Sequence, residues 1–191
     1  MIGHDAAVAH DASTPSAWIV RFAHLVRRDA RVLDLACGAG RHARFFADRG
    51  CRVLAVDRDA AAIVGLQRIR GIDARVVELE SEQWPLAQER FDAIVVANYL
   101  HRPLFPHLLA ALTEAGVLLY ETFARGNEAY GRPSNPDFLL KRDELLDVCQ
   151  RRLAIVAFEQ GYVRVGQREA VVQRIAAVAP GYPVPLPLIP H

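Results

Sequence analysis

The sequence predicts a doubly wound α/β sheet that ends in an antiparallel hairpin, and three observations carry that prediction. Apolar strand-like runs alternate with amphipathic helical stretches from Arg31 to Phe123. A glycine turn, Gly38-Ala39-Gly40, joins the first strand directly to a helix. Two further strand-like runs near the C-terminus have no helix between them, and a parallel pair would need a crossover of a dozen or more residues.

Each element has its own signal. Thr14-Pro15 reads as a helix entrance, a hydroxyl cap followed by a proline whose missing N–H costs nothing there, and Trp18, Phe22, Leu25 and Val26 then line one face. Arg31 to Leu35 reads as the first strand. The helix from Arg41 to Arg49 stops at Gly50, where a left-handed residue is needed. Cys51 to Val56 is an almost continuous apolar run, as a strand covered on both faces requires, and Asp57 closes it. A helix is predicted from about Ala60 to Arg70, ending at Gly71, with strands at Ala74 to Leu79 and Phe91 to Ala97. A helix ending near Ala115 and a strand at Val117 to Phe123 complete the alternation. Beyond a polar stretch and a helix over about Arg142 to Arg151, strands are predicted at Leu153 to Glu159 and Glu169 to Val178, with Gly161 and Gly166 at the bend.

The 191 residues, 52% of them apolar, suit one domain spanning 1–191, with an N-terminal arm over 1–14 and a Pro-rich tail over 180–191. A formal charge of +1 with scattered basic residues offers no footprint for nucleic acid. No basic start leads into an apolar segment and no long apolar run occurs, so neither a signal peptide nor a membrane span is expected, and a cytoplasmic location is. Cys37, Cys51 and Cys149 are odd in number and lack ligand spacing; with the histidines equally unpaired, no metal site is expected.

The glycine turn carries the chemistry. Gly38 and Gly40 let the backbone approach a ligand closely, and Asp57, seventeen residues beyond Gly40 at the next strand end, is placed to accept from ribose hydroxyls. An adenosine-containing ligand follows. Gly38 to Ala43 fits the NAD pattern G-x-G-x-x-A loosely, which keeps an NAD-dependent oxidoreductase as the rival reading. Asp34 weighs against it, because a carboxylate at this strand end repels a pyrophosphate and attracts an ammonium or sulfonium group.

The stretch "VLDLACGAGRHARFFADRG" resembles the first motif of class I S-adenosylmethionine-dependent methyltransferases, and "VLAVDRD" and "VVELESEQWPL" resemble the second and third. The resemblance implies a Rossmann-like seven-stranded sheet in the order 3-2-1-4-5-7-6. It implies S-adenosylmethionine as cofactor, its methionine part held about Asp34, Ala36, Gly38 and Gly40, its ribose by Asp57 beside Arg58, and its adenine by Glu78 and Leu79. "FDAIVVANYLHRPL" carries Asn98 and Tyr99 to the methyl-transfer end. The region "YETFARGNEAYGRPSNPDFLLKRDELLDV" is similar to the small tellurite-resistance branch of bacterial methyltransferases, which implies a small-molecule acceptor, an oxyanion or a small organic compound, for a monomer or homodimer.

Departures narrow the acceptor. Asn98-Tyr99-Leu100-His101 stands where enzymes acting on adenine or glutamine amino groups resemble N/D-P-P-Y/F, and no cysteine lies at that strand end for cytosine C5 chemistry. Methyl transfer needs mainly approach geometry, which is worth roughly 7–11 kcal/mol, so a general base is optional. His101, Glu121 and Tyr99 are the catalytic candidates. Glu121 is alternatively a buried carboxylate paired with an arginine such as Arg132, and His107 reads as surface or packing. Asn127, Tyr130, Arg132 and Asn135 lie in a long polar loop read as a lid, and Trp84 either borders the adenine or covers the core. A third reading, a protein that binds S-adenosylmethionine without turnover, also accommodates these residues.

Overall fold

The computed structural model describes residues 14–81, 83–165 and 168–183. The first thirteen residues, Gly166 and the tail beyond 183 lie outside the described residues. Seven strands form one sheet in the order β3-β2-β1-β4-β5-β7-β6, where β1 is Arg31–Leu35, β2 Arg52–Asp57, β3 Ile72–Val76, β4 Phe91–Ala97, β5 Leu112–Phe123, β6 Ala154–Val165 and β7 Arg168–Val178. Pairing is parallel from β3 through β5 and antiparallel for β5 with β7 and β7 with β6. The expected fold class and strand order are those observed.

Strand alternation splits the core into two layers. Leu33, Leu35, Ile94 and Val96 face a layer covered by α4 (Phe105–Ala111) and α5 (Glu144–Cys149). Val32, Val53, Ala93 and Val95 face the other, covered by α1 (Ala17–Phe22), α2 (Arg41–Asp48) and α3 (Ala60–Val64). Burial of both faces explains why these central strands read as continuous apolar runs. Among the described residues, no helix is long and apolar enough to cross a membrane.

Several boundaries move for local reasons. The cap of α1 is Ser16, not Thr14: its Oγ accepts from the Trp18 N–H at 3.1 Å. Helix α3 ends at Gly65 rather than near Arg70, since glycine is a poor helix former, although Leu66 remains fully buried through the following turns. β3 occupies Ile72–Val76 instead of Ala74 to Leu79, which releases Glu78 and Leu79 from the ladder beyond the sheet's edge. Helix α4 stops at Ala111, and β5 begins at Leu112, because an irregularity between Phe91 and Ala93 absorbs the intervening residues. The hairpin is longer than predicted. Gly161 pairs with Val172 inside β6 and is not at the bend, so β6 and β7 run on past the end of β5.

Candidate cofactor site

The site begins where β1 ends. Ala36, Gly38 and Gly40 adopt left-handed φ values of 52°, 52° and 74°, which fold the chain back before α2. A Cβ on Gly40 would lie 2.5 Å from both terminal methyl carbons of Leu66, which is fully buried, whereas one on Gly38 would meet nothing within 4 Å. The two glycines thus serve different ends: one packs against the core, the other leaves open space at the site. Gly40→Ala is expected to destabilise the fold by about 2–4 kcal/mol, from left-handed strain plus overpacking, and Gly38→Ala by about 1 kcal/mol from strain alone. Urea unfolding of the two variants side by side checks the contrast.

Two carboxylates hold this turn. Asp57 Oδ2 accepts from the Gly38 N–H at 2.8 Å and Oδ1 from the Asp59 N–H at 2.9 Å, which fixes the carboxylate plane while each oxygen keeps a lone pair to offer. Asp34, 1% exposed, accepts from the Ala43 N–H in the first turn of α2 at 2.8 Å. Burial pushes the Asp34 carboxyl up to about 7 against the opposing pull of that N–H and of Arg41. A carboxyl raised in the folded state contributes stability that is complete below pH 4 and lost as pH rises through about 7. The unliganded protein should therefore unfold at a higher temperature at pH 5 than at pH 8, and Asp34→Asn should flatten that slope. Beside it, burial lowers His42 to about 3, and its neutral Nε2 accepts from the Ser16 N–H at 3.1 Å, tying α2 to the start of α1.

Two cavities meet at this turn. One of about 420 Å³ is lined by Asp57, Arg58, Glu78, Leu79, Asn98 and Tyr99 among others; the second, of about 230 Å³, by Asp34, Gly38, Arg41 and His42, and Ala36 and Asn98 belong to both. The Glu78 carboxylate is steadied by the Glu80 N–H at 3.0 Å.

Residues 32–120, which contain the turn and both carboxylates, match the family model described as a methyltransferase domain. The matched segment, a little under half of the chain, is similar to a methyltransferase domain. A segment of 68 residues is 40% identical to a malonyl-[acyl-carrier protein] O-methyltransferase of Enterobacter lignolyticus (strain SCF1), covering 36% of this chain and 27% of that protein. TehB from Haemophilus influenzae has the same fold at a TM-score of 0.72 and 17% identity, over 84% of this chain and 61% of that one. A TehB-like S-adenosylmethionine-dependent methyltransferase from Corynebacterium glutamicum aligns at a TM-score of 0.58 and 20% identity, over 84% and 85%. The chain thus spans about a quarter of the curated relative it matches and less than two thirds of the Haemophilus protein.

The other predicted residues fall in different places. Asn98, at φ 57°, donates its N–H to the Glu121 carbonyl at 3.0 Å, and the buried Tyr120 hydroxyl donates to the Tyr99 carbonyl at 2.8 Å, so β5 sets the Asn98-Tyr99 turn. Tyr99 lines the larger cavity; burial, with Glu80 beside its hydroxyl, pushes it above the usual tyrosine range, which makes it a donor rather than a base. His101 is half-buried, precedes a 3₁₀ turn over Arg102–Leu104 without a side-chain bond to it, and lines neither cavity. Glu121 also stays outside both. Its partner is Arg174, not Arg132: Arg174 Nε lies 3.2 Å from Oε2, because antiparallel pairing sets these two residues opposite each other.

The long loop holds itself together. Asn127 is buried, donates to the Pro133 carbonyl at 3.0 Å and accepts from the Val171 N–H at 3.2 Å; Asn135 caps the next 3₁₀ turn; Tyr130 packs on Tyr162. The polar residues read as a lid lining build the loop, and its contribution to the cavity wall comes from Pro133 and Phe138. Arg102 straps that wall in place by donating to the Asp137 and Leu139 carbonyls at 2.6 and 2.8 Å while pairing with Glu144. Trp84 stacks on His107 at 5.7 Å between ring centroids and does not line the cavity. Arg102, Arg174 and Phe138 were invisible to motif reading, since nothing local marks a residue that acts from a distant strand or loop.

Proposed function

We propose that this chain transfers a methyl group from S-adenosylmethionine to a small-molecule acceptor. The observation that carries the reading is what the turn's backbone donors hold. Dinucleotide sites use such N–H groups for a pyrophosphate; here the Gly38 N–H is given to Asp57 and the Ala43 N–H to Asp34. The pocket is acidic where an NAD phosphate would sit, which suits a cationic ligand and disfavours the oxidoreductase alternative. Asp34 and Arg41 suit the ammonium and carboxylate of the methionine part, Asp57 the ribose hydroxyls, and Glu78 with Leu79 the adenine.

S-adenosylmethionine supplies a methyl carbon on a positively charged sulfur, which an acceptor lone pair takes while the bonding electrons stay on sulfur. The chain's task is to orient the partners and keep water out. Asn98 and Tyr99, fixed from beneath by Glu121 and Tyr120, form the wall between cofactor and acceptor. The ion pair to Arg174 gives Glu121 a structural assignment, and the reaction is read here as driven by approach geometry without an obligatory base. Calorimetric titration with S-adenosylhomocysteine and, in parallel, NAD tests the reading: binding of the former and not the latter is expected, and NAD binding alone would overturn it. Because Asp34 must ionise to hold an ammonium, S-adenosylhomocysteine affinity is expected to fall as pH drops below about 7. The same titration at pH 5.5 and 8 measures this, and an Asp34→Asn variant should show little of the dependence.

A further inference from the structure

We propose that the methyl acceptor occupies the β5 end of the larger cavity, positioned by Thr122, and that it is a compact, flat nitrogen base with a hydrogen-bonding substituent, methylated on its ring nitrogen. The inference rests on the methyltransferase reading above and adds the substrate class and the residue that positions it. The cavity crosses the strand ends in sheet order: Glu78 beyond β3, Asp57 at the end of β2, Ala36 after β1, Asn98 after β4 and Thr122 on β5. In that reading the adenosine takes the β3 and β2 ends. Thr122, Phe123, Pro133 and Phe138, at the other end, have no part in holding it.

Thr122 is 2% exposed, and its hydroxyl has no hydrogen-bond partner among the described residues, whereas the Tyr120 hydroxyl, on the same strand face, donates to the Tyr99 carbonyl. A buried hydroxyl left unpaired costs free energy, so a polar substituent of the occupant completes it. The rest of this end is apolar and largely aromatic, with Phe123, Pro133 and a Phe138 ring that is 51% exposed. The charged side chains that line the cavity are Asp57, Glu78 and Glu80 against Arg58, and the undescribed residues contain no arginine or lysine to reverse that balance. An anionic acceptor would be repelled, and a neutral hydroxyl or thiol would have to lose a proton. A ring nitrogen does neither. Its lone pair forms the N–C bond as the C–S bond breaks, the bonding pair stays on sulfur, no proton moves, and the positive charge passes from sulfur to nitrogen. The carboxylates keep that charge in the cavity, and the rings of Tyr99, Phe123 and Phe138 offer it aromatic faces.

Three probes of similar size test the claim on the full chain loaded with S-adenosylhomocysteine: meta-acetylpyridine, its N-methyl cation and benzoate. The cation is expected to bind at least as tightly as the neutral base and about tenfold more tightly than benzoate. With S-adenosylmethionine, meta-acetylpyridine should be converted to that cation, as read by mass spectrometry, while acetophenone, which lacks the nitrogen, is left unchanged. Thr122→Val keeps the side-chain shape and should weaken meta-acetylpyridine about fivefold. Phe138→Leu keeps an apolar wall without the ring and should weaken the cation about fivefold. S-adenosylhomocysteine affinity should stay the same in both variants. Benzoate binding as tightly as the cation, no N-methylation, or an unchanged Thr122→Val variant would each overturn the proposal while S-adenosylhomocysteine still binds and the methyltransferase reading stands. A wild-type chain that binds no S-adenosylhomocysteine would overturn that reading and this proposal with it.

Discussion

Asp57→Ala is expected to weaken S-adenosylhomocysteine binding by about a hundredfold. Two hydrogen bonds from ribose hydroxyls to a carboxylate are each worth roughly 1.5–3 kcal/mol, and a factor of ten in affinity is about 1.4 kcal/mol. The carboxylate is also pre-aligned by Gly38 and Asp59, so little ordering is left for binding to impose. The variant also frees the Gly38 N–H, so its folding must be checked by circular dichroism before the titration is read. Asp57→Asn, which keeps the shape but not the charge, should fall between the two. A folded alanine variant with wild-type affinity would remove Asp57 from the ribose site.

A large effect on stability is also expected at the Glu121–Arg174 pair. Glu121 is 7% exposed, and Arg174→Met would leave its carboxylate in the sheet without the guanidinium that neutralises it. Breaking a buried pair by removing one partner costs about 3–5 kcal/mol, and the exposure of Arg174 places this case near the lower figure. The Glu121→Gln/Arg174→Met double variant should recover most of the loss, because the penalty lies in the uncompensated charge. Urea unfolding of the wild type, both single variants and the double variant gives the coupling directly. Additive losses across that cycle would show that the two side chains act independently.

These two residues differ in how they could be found. The position of Asp57 against the glycine turn was legible because it is local: a strand end one crossover beyond a glycine turn faces that turn in any right-handed βαβ unit. The same reasoning reached Asp34 and Gly38, whereas Glu78 and the full strand order came only with the family resemblance. It did not reach the role of Asp34 in holding the Ala43 N–H, since which donor a buried carboxylate takes depends on how α2 docks. It reached Glu121 as a position but named the wrong arginine, because Arg174 is brought opposite by the β5–β7 register and lies more than fifty residues away in the chain.

By itself, then, the sequence determined the alternation of strands and helices, the C-terminal hairpin and the acidic glycine turn, because hydrophobic period and backbone chirality act within a few residues. Only the tertiary structure decided that β3 stops at Val76 so that Glu78 and Leu79 reach a cavity, and that His101 and Trp84 stay out of it. It alone showed that the hairpin outruns β5 and that the loop after β5 brings Pro133 and Phe138 to the same cavity. Cavities are made where elements distant in sequence fail to fill the volume between them, and strand register and loop closure, which set that volume, are sums over long-range contacts that no local pattern encodes.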